Sequence, residues 1–109
     1  MTMQTEIKFT EPTTNTDGSA ITLPLTFTAY IDTVNPPVKS YAVPAAQIAA
    51  AVGGVITATF TQLGFTPTAN SDYFVDVTAT DATGTSVPSS VVQFAYAVVP
   101  NAPSGLSVG

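Results

Sequence analysis

LGFTPTANSDYFVDVTATDATGTSVPSSVVQF, residues 63–94, spells out a turn, a strand, a second turn and another strand. Within it Tyr73, Val75, Val77 and Ala79 alternate with a set that is on the whole more polar, the period of two that predicts a half-buried strand over 73–80. Asp81-Ala82-Thr83-Gly84 follows as a turn, because an aspartate side chain can hydrogen-bond backbone two residues on and glycine tolerates positive φ. Pro88-Ser89-Ser90 interrupts the chain before Val92, Phe94 and Tyr96 resume the alternation on a last strand.

Upstream, VITATFTQL (residues 55–63) is rich in β-branched residues and predicts a strand along its whole length. PAAQIAAAVGG breaks that pattern. Pro44 at a first helical position, a run of alanines and a Gly53-Gly54 stop predict a short helix near 45–52, packed through Ile48 and Val52; the alternative is a loop with a short edge strand. VKSYAV (38–43) predicts a strand entered from Asn35-Pro36-Pro37, where each proline pushes the residue before it toward extended backbone. In residues 21–31, Leu23, Leu25, Phe27, Ala29 and Ile31 share the core parity, while Thr22, Thr26, Thr28 and Tyr30 face out. Pro24, on the outward parity, demotes the start of that segment to an edge or bulge. A polar connection over 11–20 carries the bend signal Asp17-Gly18, and TEIKFT (5–10) predicts a first strand with Ile7 and Phe9 on one side and Glu6 and Lys8 on the other. About seven strands result. The expected core is Ile7, Phe9, Leu25, Phe27, Tyr41, Ile56, Phe60, Leu63, Tyr73, Val75, Val77, Val92 and Phe94.

Leu63, Pro67, Tyr73, Val75, Val77, Ala79, Gly84, Ser86, Pro88 and Ser89 stand in an order that resembles the second half of a fibronectin type III module. The interval between Pro67 and Tyr73 is slightly longer than usual in that family and implies a larger loop. Pro37, Val38, Tyr41 and Val43 are similar to the family's third strand, with Ser40 in place of its usual glycine. The tryptophan that such modules usually bury is missing, so the hydrophobic centre is expected to form around Phe27 and Tyr41. The resemblance implies an all-β fold, a seven-stranded immunoglobulin-like antiparallel sandwich over residues 1–99. It says little about function, since that architecture serves many. Residues 99–108, VPNAPSGLSV, resemble the linker and first strand of a following module. The segment 100–109 is therefore expected either to fold back on its own domain or hang loose, or to dock on a neighbouring copy through Leu106 and Val108 by adding a strand to an open sheet edge; Ile7 and Phe9 near the other terminus are further candidate partner-docking residues.

At 109 residues the chain fits one domain, large enough to bury roughly two-thirds of its unfolded surface without disulfides or a thiolate metal site, for which it has no cysteine. Lys8 and Lys39 are its only cations against 7 acidic residues, a net charge of -5 that excludes binding to a run of phosphates and disfavours an anionic membrane. The mean hydropathy of +0.34 comes from scattered Ala and Val, without the run of about 20 apolar residues that a spanning helix needs. MTMQTEIKFT has neither a basic region nor an apolar one, so it reads as an encoded start without a secretory leader.

Histidine is missing as well, so nucleophilic catalysis with a histidine base is not expected. The acids Glu6, Glu11, Asp17, Asp32, Asp72, Asp76 and Asp81 leave a glycosidase-type carboxylate pair formally open, but no motif sets two of them on one cleft wall, and turn capping accounts for them better. Calcium needs six to eight oxygen ligands, and no acidic loop repeat supplies them. No enzyme activity, metal or other cofactor is expected. Tyr30 and Phe65 are the candidate surface residues for stacking on a glycan, against plainer roles as a cross-strand partner and a rim residue of the core. A Thr-rich, Lys-poor surface without a leader suits a particle assembled in the host cytoplasm. The expectation is a non-enzymatic bacteriophage virion subunit, decorating a capsid or tail, that contacts other protein subunits through its termini and displays its loops. The alternatives are an extracellular adhesion or carbohydrate-binding module and a head-to-tail filament subunit.

Overall fold

The alternating run at the centre of the sequence becomes the longest strand. In the computed structural model, which describes residues 4–98 and 100–109, β5 spans Ser71–Asp81. Before it come β1 (Glu6–Thr10), β2 (Thr26–Asp32), β3 (Ser40–Ala42), α1 (Ala45–Ala49), β4 (Val55–Thr59) and α2 (Phe60–Leu63); after it come β6 (Gly84–Thr85) and β7 (Val92–Tyr96). The leader reading of residues 1–10 and the boundary at Val99 fall partly on residues outside that description.

Seven antiparallel strands form two packed sheets. β1 pairs with β4 in the small one, from Glu6 opposite Thr59 to Thr10 opposite Val55. The large sheet runs β3-β2-β5, and both β6 and β7 lie along the far side of β5. β7 covers its start, with Ser71 opposite Tyr96, and β6 its end, with Thr80 opposite Thr85. Between them Pro88 cannot donate, and serine hydroxyls complete the ladder. Ser86 and Ser89 donate their amides to the Ala79 and Val77 carbonyls at 2.8 and 2.9 Å. Their hydroxyls accept from the Ala79 and Val77 amides at 2.9 and 3.0 Å. The serines at the end of the 63–94 stretch thus stand in for a continuous strand.

Phe27, Ala29 and Ile31 of β2, Tyr73 and Val75 of β5, and Ile56 and Ala58 of β4 fill the space between the sheets, as their parity predicts. Ile7, Phe9, Leu25, Tyr41, Val77 and Phe94 join them as partly buried neighbours. The short helix forms as α1 and packs through Ile48. Val52, expected to help it, is 80 % exposed and instead makes a bridge with Val55.

Other expectations need correction. The strand expected over 55–63 stops at Thr59, where the Thr59 hydroxyl accepts from the Gln62 amide at 3.1 Å and the Gln62 side chain accepts from the Thr59 amide at 2.8 Å. This reciprocal cap, closed by Gly64 at φ 76, nucleates the single turn of α2 and turns both Phe60 and Leu63 inward. Leu23 lies ahead of β2 and is exposed, since only residues from Thr26 onward enter the sheet. Val92 is 63 % exposed despite its inward parity, because two strands cannot cover the inner face of five.

Candidate docking surface

Among the described residues β1 has a partner strand on one side only. The Phe60 amide donates to the Thr5 carbonyl at 2.9 Å and the Glu11 amide to the Gly54 carbonyl at 2.8 Å. In an antiparallel ladder hydrogen-bonded pairs alternate, so residues 5, 7, 9 and 11 turn their backbone groups toward β4. Glu6, Lys8 and Thr10 therefore present their N–H and C=O groups to the open side, and none has another partner among the described residues. An open edge of this kind is a template for another strand.

Beside that edge lies an open groove of about 260 Å³, lined among others by Phe9, Phe27, Val77, Ala79, Val87 and Pro88. Phe9 and Phe27 meet at 5.0 Å between ring centroids. Ile7, Phe9, Val77 and Ala79 all have inward parity, yet each stays half-buried, whereas Tyr73 and Val75 farther along β5 are buried. The packing of the sandwich is thus incomplete on the side where these four residues lie. No charged residue lines this groove.

Leu106 and Val108 are 95 % and 99 % exposed and so touch neither Ile7 nor Phe9 of their own domain. The radius of gyration, 17.5 Å, exceeds the roughly 13 Å of a compact chain of this length, and the longest extent of 70 Å compares with 30 and 21 Å across. Tyr30 is half-buried on the outer face of β2, opposite Asp76. Phe65 takes the plainer of its two expected roles: it is 5 % exposed, in the core, with edge-on contacts to Tyr41, Phe60 and Tyr73 at 5.5, 5.1 and 5.1 Å. Sequence reasoning missed Val87, 82 % exposed at the groove, which no periodicity marks.

The carboxylates divide by environment. Asp17 and Asp81 line one groove of about 520 Å³ beside the 11–21 loop. The Ser19 hydroxyl and amide donate to Asp17, and those of Thr83 to Asp81, which holds both carboxyls below their ordinary value of 3.8. The pair thus offers two anions and no proton donor, which is not the split that glycoside hydrolysis requires. Burial pulls Asp32 upward, but the amides of Thr33, Val38 and Lys39 and the Lys39 charge outweigh it and leave the carboxyl low. Among the described residues no group of three or more carboxylates could hold a metal ion, and no helix is long and apolar enough to cross a membrane.

Asp76 is the exception. It is 4 % exposed on the outer face of β5, its Oδ1 has no hydrogen-bond partner, and burial pushes its carboxyl up from 3.8. The folded state therefore holds a proton that the unfolded chain has released in the window above 3.8, so stability is lost as pH rises through that window. Asp17, Asp32 and Asp81 work oppositely, losing their contribution as pH falls below 3.8. Asp76→Thr is expected to stabilise the protein at neutral pH by about 1 kcal/mol, the low end of the cost of a buried unpaired acceptor. Urea melts should show the gain shrinking as pH falls toward 3.8 and lost below it; a gain independent of pH would mean that the carboxyl is not the cause.

No protein-family model, no curated protein and no solved structure matches the chain.

Proposed function

We propose that this chain is a non-enzymatic structural module that assembles with other protein subunits through its termini and displays its loops, as a capsid or tail decoration subunit of a bacteriophage virion does. The observation that carries the reading is the coexistence of an incompletely covered sandwich edge at β1 with an exposed, uncharged 100–109 segment bearing Leu106 and Val108. Apolar side chains held wholly in water beside unpaired strand edges favour association over solitude. The fibronectin-like character of the module gains support from Tyr73. Its hydroxyl accepts from the Thr68 amide at 2.7 Å, a corner typical of immunoglobulin-like sandwiches. The virion setting rests on composition and on the resemblance of the module.

Light scattering across a concentration series, on the whole chain and on residues 1–99, tests the reading. The whole chain is expected to gain mass with concentration while the shortened one stays monomeric. Two monomers would remove self-assembly and leave docking on a preformed partner, or glycan binding at Tyr30, as the function to pursue.

A further inference from the structure

β1 and β5 run in the same direction. The start of β1 lies by Phe60, which stacks on Phe94 at 5.6 Å, and Phe94 stacks on Tyr73 at the start of β5. The end of β1 lies by Phe27, opposite Ala79 near the end of β5. β7 is antiparallel to β5 and hence to β1, and the chain leaves it at Tyr96, at the end of the sandwich where β1 begins. A segment continuing in that direction leads away from its own domain. It meets a second copy stacked in line at the Thr10 end of that copy's β1, and runs along it antiparallel, the slightly stronger mode of pairing. Folding back onto its own β1 would require a full reversal around Pro100 and Pro103 and would give a parallel pair.

Length and charge agree with this. Ten extended residues reach about 33 Å, enough for a linker and a strand matched to the roughly 17 Å of β1. Every copy carries a net charge of -5, so copies repel in general, yet residues 100–109 bear no charged side chain and neither does the groove. The segment therefore brings no acidic side chain to the acceptor copy, and its apolar side chains enter an uncharged groove.

We infer that residues 100–109 of one copy dock as an added strand on the β1 edge of a second copy, with Ser107 opposite Lys8 and Leu106 entering the groove beside Phe9. The inference rests on the reading that the chain assembles through its termini. In this register the outward backbone groups of Glu6, Lys8 and Thr10 pair with those of Gly109, Ser107 and Gly105. Leu106 meets Phe9, Phe27, Val77 and Val87, and Val108 lies over Ile7. Donor and acceptor are different surfaces of one chain, so the contact propagates head to tail, giving a filament or, if the rotation closes, a ring.

A cysteine-free chain allows a direct test. A hydrogen-bonded antiparallel pair has a Cα separation of about 5.5 Å, within disulfide reach. K8C/S107C is expected to form a reducible ladder of multimers under mild oxidation, at least tenfold faster than the control Q93C/S107C, which offers the β7 edge instead. Lys8→Pro removes an outward amide without touching the bonds to β4, and should melt like the native protein while shifting assembly to at least tenfold higher concentration. If removing residues 100–109 abolishes assembly while Lys8→Pro assembles normally and the two cysteine pairs cross-link alike, termini still mediate assembly but the β1 acceptor is wrong. Cross-linking of K8C/S107C within monomers would show the fold-back arrangement and overturn the inference. A whole chain that stays monomeric at every concentration would sink both readings together.

Discussion

Phe65→Ala is expected to destabilise the protein by about 3–5 kcal/mol, the cost of emptying a core site of a phenylalanine. The ring is 5 % exposed and touches Tyr41, Phe60 and Tyr73 edge-on, so its removal breaks three favourable aromatic contacts as well as leaving a cavity. The backbone helps to fix it there: the Phe65 amide donates to the Phe60 carbonyl at 2.9 Å, directly after the left-handed turn at Gly64. Because a domain of this size has about 5–15 kcal/mol in total, the variant should unfold at much lower urea, with an unchanged dependence on denaturant. Phe65→Leu should recover more than half of the loss by refilling the cavity. A cost of about 1 kcal/mol or less for the alanine variant, the range of surface positions, would return Phe65 to the candidate ligand surface.

What was legible in the sequence depended on how local the determining physics is. β5 and its turn were legible because parity, Asp81 and Gly84 act over a few residues. The first half of the 55–63 segment was legible for the same reason. Its second half was misread although Thr59, Gln62 and Gly64 together spell a helix start and stop, because β-branched composition outweighed a cap that acts at single positions. Val92 and Val77 show a different limit. Their inward parity is right, but burial depends on what the opposite sheet offers, and no residue near either position encodes that the small sheet has two strands. The candidate site divides likewise. Leu106 and Val108 stand out by alternation in an otherwise polar tail, whereas the free edge of Glu6, Lys8 and Thr10 exists only because no other strand among the described residues comes to pair there. Phe65 had two readings in the sequence, core rim and glycan contact, because a single phenylalanine after a glycine has no period to betray its direction.

Tyr73→Phe and Tyr73→Ala should separate two contributions at one position. The hydroxyl accepts from the Thr68 amide at 2.7 Å and so anchors the loop between Pro67 and β5. Deleting it leaves a part-buried amide without its partner, and the phenylalanine variant is expected to lose about 1–2 kcal/mol. The ring, 6 % exposed, lies between Phe65 at 5.1 Å and Phe94 at 5.4 Å, so the alanine variant should lose about 3–5 kcal/mol. A nearly complete loss on the first substitution would mean that the loop tether, and not the aromatic cluster, holds this end of the sandwich. Combining Tyr73→Ala with Phe65→Ala should cost less than the sum of the two, since the second deletion removes a contact already gone. Tyr73 stands at the end of β5 away from the Phe9 groove, and neither the open edge of β1 nor Leu106 depends on its hydroxyl. Folded Tyr73→Phe should therefore assemble at the same concentrations as the native chain. Parallel losses of stability and assembly in that variant would show that association requires the integrity of the whole sandwich, and that no single open edge accounts for it.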